Sequence, residues 1–133
     1  MEQNKQLQLV TFEQAKKLKE LGFDWETKNL YSCGGEGFDI PAHSPDWKRE
    51  LNNGDVILAP SVALALKWFR DVKGYLCYTS FHYVKQKIKY AFFILLPDNT
   101  VSTSSKYFFN TQEAAESALL DKLLELAERK NVG

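Results

Sequence analysis

Four side chains are of the types that ligate metals or serve as soft nucleophiles and bases: Cys33, His43, Cys77 and His82 are the only cysteines and histidines. Two thiolates and two imidazoles would suit a tetrahedral zinc ion. Their separations are nine, thirty-three and four intervening residues, which include neither a close cysteine pair nor a helical histidine pair, so the pattern matches no zinc knuckle. On a strand over residues 75–83, Cys77 and His82 also have opposite parity and point to opposite faces of a sheet. No metal or other cofactor is expected.

Nucleophilic catalysis needs a thiol or hydroxyl beside a base that a third group orients. Cys33 precedes Gly34-Gly35, with His43 or His82 as the available base. No nucleophile elbow accompanies it, so an ordinary turn cysteine is preferred and no catalytic residue is assigned. The run Cys33-Gly34-Gly35-Glu36-Gly37 also lacks the Lys-Ser/Thr of a P-loop and is followed by no capped helix. It reads as a flexible turn, not a phosphate cradle.

Two groups of residues are candidates for binding. Lys85, Lys87 and Lys89, interleaved with Tyr83 and Tyr90, form a candidate anion or nucleic-acid patch, because cations beside exposed aromatics grip single strands. Lysines at a hairpin tip also guard against edge pairing. The second group is Trp25, Tyr31, Phe38 and Trp47, a candidate interaction surface, since aromatic side chains bury much area at protein interfaces.

Composition limits what these groups can do. The 133 residues are 44% hydrophobic and 26% charged, the balance of one folded domain able to bury a core. Lys plus Arg and Asp plus Glu stand at 17 each, so no global field steers the chain to nucleic acid or an anionic membrane. Residues 1–8 are polar, and the longest apolar run, residues 91–97, is too short to span a bilayer. The expected address is the cytoplasm, with both cysteines as free thiols.

The elements that must position these residues announce themselves by their ends. Thr11 and Gln14 make a capping box, while Gly22 and Phe23 supply the C′ and C″ positions of a Schellman motif against Leu18, which predicts a helix over residues 12–21. Residues 24–53 read as loop-rich, with short strands near 28–32 and 56–59. Ser61 caps a second helix that runs to Lys73 and stops at Gly74. Its apolar stripe includes Val62, Ala65, Leu66, Phe69 and Val72, and Tyr75 is placed to fold back on Phe69. Three strands follow, over residues 75–83, 89–96 and 101–109, the second being the most hydrophobic and therefore central. Pro97-Asp98-Asn99-Thr100 is turn chemistry joining the last two. The final helix, capped by Thr111 or Asn110, gathers Leu119, Leu120, Leu123, Leu124, Leu126 and Ala127 on one half of its wheel and must lie on a sheet face.

A helix, three antiparallel strands and a helix is also the element order of the double-stranded-RNA-binding domain. That domain places lysines at the start of its last helix. Here the corresponding residues are Gln112, Glu113 and Glu116, which would repel phosphate.

Three blocks carry a further resemblance. The segment Thr11-Phe12-Glu13-Gln14-Ala15-Lys16-Lys17-Leu18-Lys19-Glu20-Leu21-Gly22-Phe23-Asp24, the segment Ala59-Pro60-Ser61 leading to Ala65-Leu66-Lys67-Trp68-Phe69-Arg70, and Phe109-Asn110-Thr111-Gln112-Glu113-Ala114 resemble a family of small proteins encoded by phages and prophages of Bacteroides-type gut bacteria. Members of that family often continue from Gly-Phe-Asp to a Pro-Cys pair. This chain has Trp25-Glu26-Thr27-Lys28 there, so no role for that cysteine carries over. The resemblance implies a mobile-element context and no particular activity.

The expected fold is a single α+β domain. Its order is α-(β-β)-α-β-β-β-α, an antiparallel sheet of three main strands, or of four or five where the early pieces join it, packed with two to three helices. Residues 1–10 form a polar lead, 11–59 the capped helix and aromatic loop segment, and 60–133 the helix, three strands and helix. The leading functional expectation is a non-enzymatic binding or adaptor protein of phage or prophage origin, with an unidentified protein partner, as monomer or homodimer. A small nucleic-acid-binding protein using the lysine-rich hairpin is the second reading, and a cysteine-dependent enzyme built on Cys33 the third and weakest.

Overall fold

The computed structural model describes residues 8–25, 27, 29–32, 35, 37–39, 56–96 and 102–132. Among the described residues it is an α+β chain of three α-helices and two antiparallel three-stranded sheets. Two compact units are distinguished, one spanning Leu9–Ser61 and the other comprising Val62–Gly133 with the residues up to Gln8.

In the first unit, helix α1 covers Phe12–Glu20. Its capping box is present in both halves: Gln14 N–H donates to Thr11 Oγ1 at 3.1 Å, and Thr11 N–H donates to Gln14 Oε1 at 2.9 Å. The far end closes as a Schellman turn, with Phe23 N–H to Leu18 C=O at 3.0 Å and Gly22 N–H to Lys19 C=O at 3.1 Å. Gly22 has φ +98° there, a region closed to most side chains. Strands β1 (Asn29–Ser32), β2 (Gly37–Asp39) and β3 (Val56–Leu58) form a sheet in the order β2-β1-β3. All three residues of β3 are buried, as are Ala15, Leu18, Leu21, Phe23 and Leu30. The early strands thus build a sheet of their own and do not extend the main one. Both edges of β1 are occupied within this unit, by β2 and β3.

The second unit opens with helix α2 (Val62–Trp68), which passes directly into a π-helical turn over Phe69–Lys73. The sequence predicts one regular helix to Lys73. The wider π turn rotates the apolar stripe off its course, and Val72 ends 53% exposed. Gly74, at φ 76°, donates to Phe69 C=O and ends the helix. Tyr75 folds back as its position predicts, with its N–H on Phe69 C=O at 3.1 Å and its ring stacked on Phe69 at 5.7 Å.

The main sheet has the order β4-β5-β6, with β4 over Leu76–Val84, β5 over Lys87–Leu95 and β6 over Ser102–Ser104. The most hydrophobic strand is therefore the central one. Nine consecutive pairs, from Leu76↔Leu95 to Val84↔Lys87, join β4 and β5 without a bulge. The third strand is shorter than the predicted 101–109. Ser105 leaves the ladder, its N–H on Phe92 C=O and its Oγ accepting from Phe92 N–H; pairing resumes only at Phe109, which exchanges two hydrogen bonds with Tyr90. Residues 106–108 lie between those two attachments.

Helix α3 (Gln112–Val132) is capped by Thr111, whose Oγ1 accepts from Ala114 N–H at 3.1 Å. It packs on β4, β5 and α2. Ala115, Leu119, Leu120, Leu123, Leu124 and Ala127 are buried along it, with Phe69, Trp68, Cys77, Phe92 and Ile94 completing the core of this unit.

Candidate functional site

Register sorts the main sheet into two faces, because directly opposed residues of an antiparallel pair point the same way. Cys77, Thr79, Phe81 and Tyr83 share one face with Ile94, Phe92, Tyr90 and Ile88. Cys77, Phe92 and Ile94 are buried, so this is the face that α3 covers; toward the hairpin tip it emerges, leaving Phe81 69% and Tyr83 76% exposed. The other face carries Leu76, Tyr78, Ser80, His82 and Val84 opposite Leu95, Phe93, Ala91, Lys89 and Lys87.

That second face is mixed and partly open: Ala91 is buried, Lys87 is exposed, and Ser80, His82, Val84, Lys89, Phe93 and Leu95 are half-buried. Leu76 and Tyr78 are each more than half exposed, and Tyr78 stacks on Phe93 with ring centroids 5.3 Å apart. Next to them His82 meets the ring of Phe108 edge-on at 5.5 Å, and Phe108 is itself 53% exposed. Phe108 reaches the sheet because residues 106–108 leave the β6 ladder. Among the described residues the exposed large apolar side chains are Leu9, Val72, Leu76, Tyr78, Phe81, Tyr83, Ile88, Tyr107 and Phe108. All but the first two belong to the β4–β5 hairpin or the segment after β6.

The chemistry within this face is modest. Ser80 Oγ and His82 Nε2 share a hydrogen bond of 2.8 Å, the first half of a nucleophile and base pair. Among the described residues no acidic side chain is hydrogen-bonded to the imidazole to orient it. Lys89 Nζ donates to Asn110 Oδ1, which ties one cation at the border of the face, while Lys87 stays exposed.

No protein-family model, curated protein or solved structure matches this chain. Its residues therefore speak through their positions alone.

On the covered face, burial pushes the Cys77 thiol above its ordinary value, and Arg70, whose Nη1 lies 3.4 Å from Cys77 C=O and 4.0 Å from Sγ, pulls partly the other way. A buried thiol held protonated is inert, not nucleophilic. Glu116 is raised by burial and by Glu113, with Arg70 again opposing.

The aromatic residues of the loop segment are placed as follows. Trp25 is half-buried with its ring 6.3 Å from Phe23. Tyr31 is half-buried; its hydroxyl donates to Val10 C=O at 2.6 Å and its ring meets Phe12 edge-on. Those contacts spend its polar handle inside its own unit. Phe38 pairs with Leu30 in β2, and Trp47, like Cys33 and His43, lies outside the described residues.

Of the lysine patch, Lys85 occupies the hairpin turn, Lys87 and Lys89 lie on the open face, and Tyr83 and Tyr90 lie on the opposite one. On that face His82 lies directly opposite Lys89, while Tyr78 and Phe93 pair further along the ladder. The signal in the sequence was strand parity: residues 76, 78, 80 and 82 alternate with 77, 79, 81 and 83, and only the helix decides which set is covered. Among the described residues no three His, Cys, Asp or Glu side chains gather as a metal-binding group, and no helix is long and apolar enough to cross a membrane.

Proposed function

We propose that this protein is a non-enzymatic binding protein that acts by surface contact with another protein, through the open face of its main sheet. The observation that carries this reading is that Leu76, Tyr78 and Phe108 stand 55%, 51% and 53% exposed on one face, with Phe93 and Leu95 half-buried between them. Contiguous apolar patches of this kind mark interaction sites, and a nine-pair hairpin is a stiff platform on which aromatic anchors lose little side-chain entropy when bound. The balanced net charge also favours a protein over a polyanion. The resemblance to phage and prophage proteins makes a partner in the host or phage proteome part of the same reading.

Capture from lysates of lysogenic cells tests it. The wild-type protein is expected to retain a defined protein that a Tyr78→Asp, Phe108→Asp double variant of unchanged circular dichroism does not. Equal recovery by both would remove the open face from consideration.

One observation favours a second reading, the binding of a single-stranded nucleic acid. Lys87 and Lys89 share the open face with Tyr78, Phe93 and Phe108, the combination of cations and stacking rings that holds unpaired bases. Oligonucleotide binding that falls steeply with salt and with Lys87→Glu would support it; absence of any binding at low salt would dismiss it.

A further inference from the structure

The two edges of the main sheet are built differently. β6 ends it with three short polar residues, Ser102–Ser104, the usual way of leaving an edge unattractive. β4 forms the other edge over nine residues, Leu76–Val84, and this strand contains no charged residue, no proline, no glycine and no bulge. Among the described residues these protections are missing from the strand itself, and Lys85 lies just past its end, in the turn.

Which backbone groups β4 presents follows from the ladder. Phe92 and Tyr90 of β5 exchange their hydrogen bonds with Ser105 and Phe109, so in β5 the even-numbered residues face β6 and the odd-numbered ones face β4. Ala91, Phe93 and Lys89 therefore bond Ser80, Tyr78 and His82, and the N–H and C=O groups of Cys77, Thr79, Phe81 and Tyr83 point outward. Arg70 takes the Cys77 carbonyl at 3.4 Å. Among the described residues no backbone partner is recorded for the outward groups of Thr79, Phe81 and Tyr83.

We infer that this edge pairs with the same edge of a second copy of the chain, β4 against β4 in antiparallel register about Phe81, making one six-stranded sheet across a two-fold axis. The occupant is a second copy because the strand is complementary to itself. Centred on Phe81, the register sets Phe81 against its own copy and Thr79 against Tyr83 on one face, and Ser80 against His82 and Tyr78 against Val84 on the other. No pair brings like charges together, and every outward group left open on β4 finds a partner. Phe81 and Tyr83, 69% and 76% exposed, are the side chains such a pairing would cover, while Arg70 stops the ladder at Cys77. The inference goes beyond partner binding by the open face, since it uses the backbone edge and needs no other protein.

Light scattering coupled to gel filtration over about a hundredfold concentration range, joined to amide hydrogen exchange, tests it. The wild type is expected to be dimeric at the upper end, with the amides of Thr79, Phe81 and Tyr83 protected together with those of Tyr78, Ser80 and His82. Phe81→Lys, at an exposed site, should be monomeric with unchanged circular dichroism, and should lose protection at the three odd positions alone. Thr79→Pro removes an outward donor and should do the same. A wild type that stays monomeric throughout overturns the inference, as does a dimer that survives Phe81→Lys or whose odd-numbered amides exchange freely.

Discussion

Glu116 shows how a single residue responds to its surroundings. Burial is the main cause of its raised pKa, Glu113 adds to it and Arg70 opposes. The folded protein then holds this proton more tightly than the unfolded chain does. Ionisation consequently costs stability, beginning as pH rises through the unfolded value and complete above the folded one. Glu116→Gln should stabilise the protein at neutral pH by less than about 1 kcal/mol, since solvent screens the partly exposed group. The gain should vanish in acid below the ordinary carboxylate range; thermal melts at the two pH values check this, and an equal gain in acid would refute it. Other residue properties were readable before any fold was known. Cys77 and His82 do lie on opposite faces of the sheet, because parity is a property of an extended chain. The Ser80 and His82 contact follows from the same rule but acquires its aromatic neighbour, Phe108, only through the break in the β6 ladder.

At the scale of elements, local chemistry was most legible where it was strongest. The Thr11 and Gln14 capping box and the Gly22 and Phe23 turn form as their residue types require, since both depend on contacts a few residues apart. The π turn was not legible: five residues contain too little periodicity to separate 3.6 residues per turn from a wider helix, and Gly74 ends either. The tip of the β4–β5 hairpin is the least expected element. Lys85 and Gln86 hold φ 51° and 67°, a two-residue turn of the type that favours Asn-Gly and strains larger side chains. Replacing the pair by Lys85→Asn and Gln86→Gly should raise stability by about 1 kcal/mol. Urea unfolding measures the gain, and an unchanged midpoint would mean that the turn carries no such strain.

For the whole molecule, zero formal net charge and a sequence pI near 6.7 mean that little long-range repulsion keeps copies apart at neutral pH. Solubility should therefore pass through a minimum close to pH 6.7. If the exposed apolar side chains drive that association, Tyr78→Ser with Phe108→Ser, which leave the net charge unchanged, should make the minimum shallower, as precipitation assays across pH would show; an identical profile would assign the effect to charge alone. The sequence by itself determined the α+β class, the capped ends of its helices, the central place of the most hydrophobic strand and the parity of every residue on β4 and β5. These follow from local propensity and periodicity, which act over a few residues. Only the tertiary structure decided that residues 29–32, 37–39 and 56–58 build a separate sheet, that α3 covers the Cys77 face and leaves Tyr78 open, and that β4 is an unguarded edge. Those outcomes depend on which distant surfaces bury each other, and alternation along a strand names two faces without saying which one another element will cover.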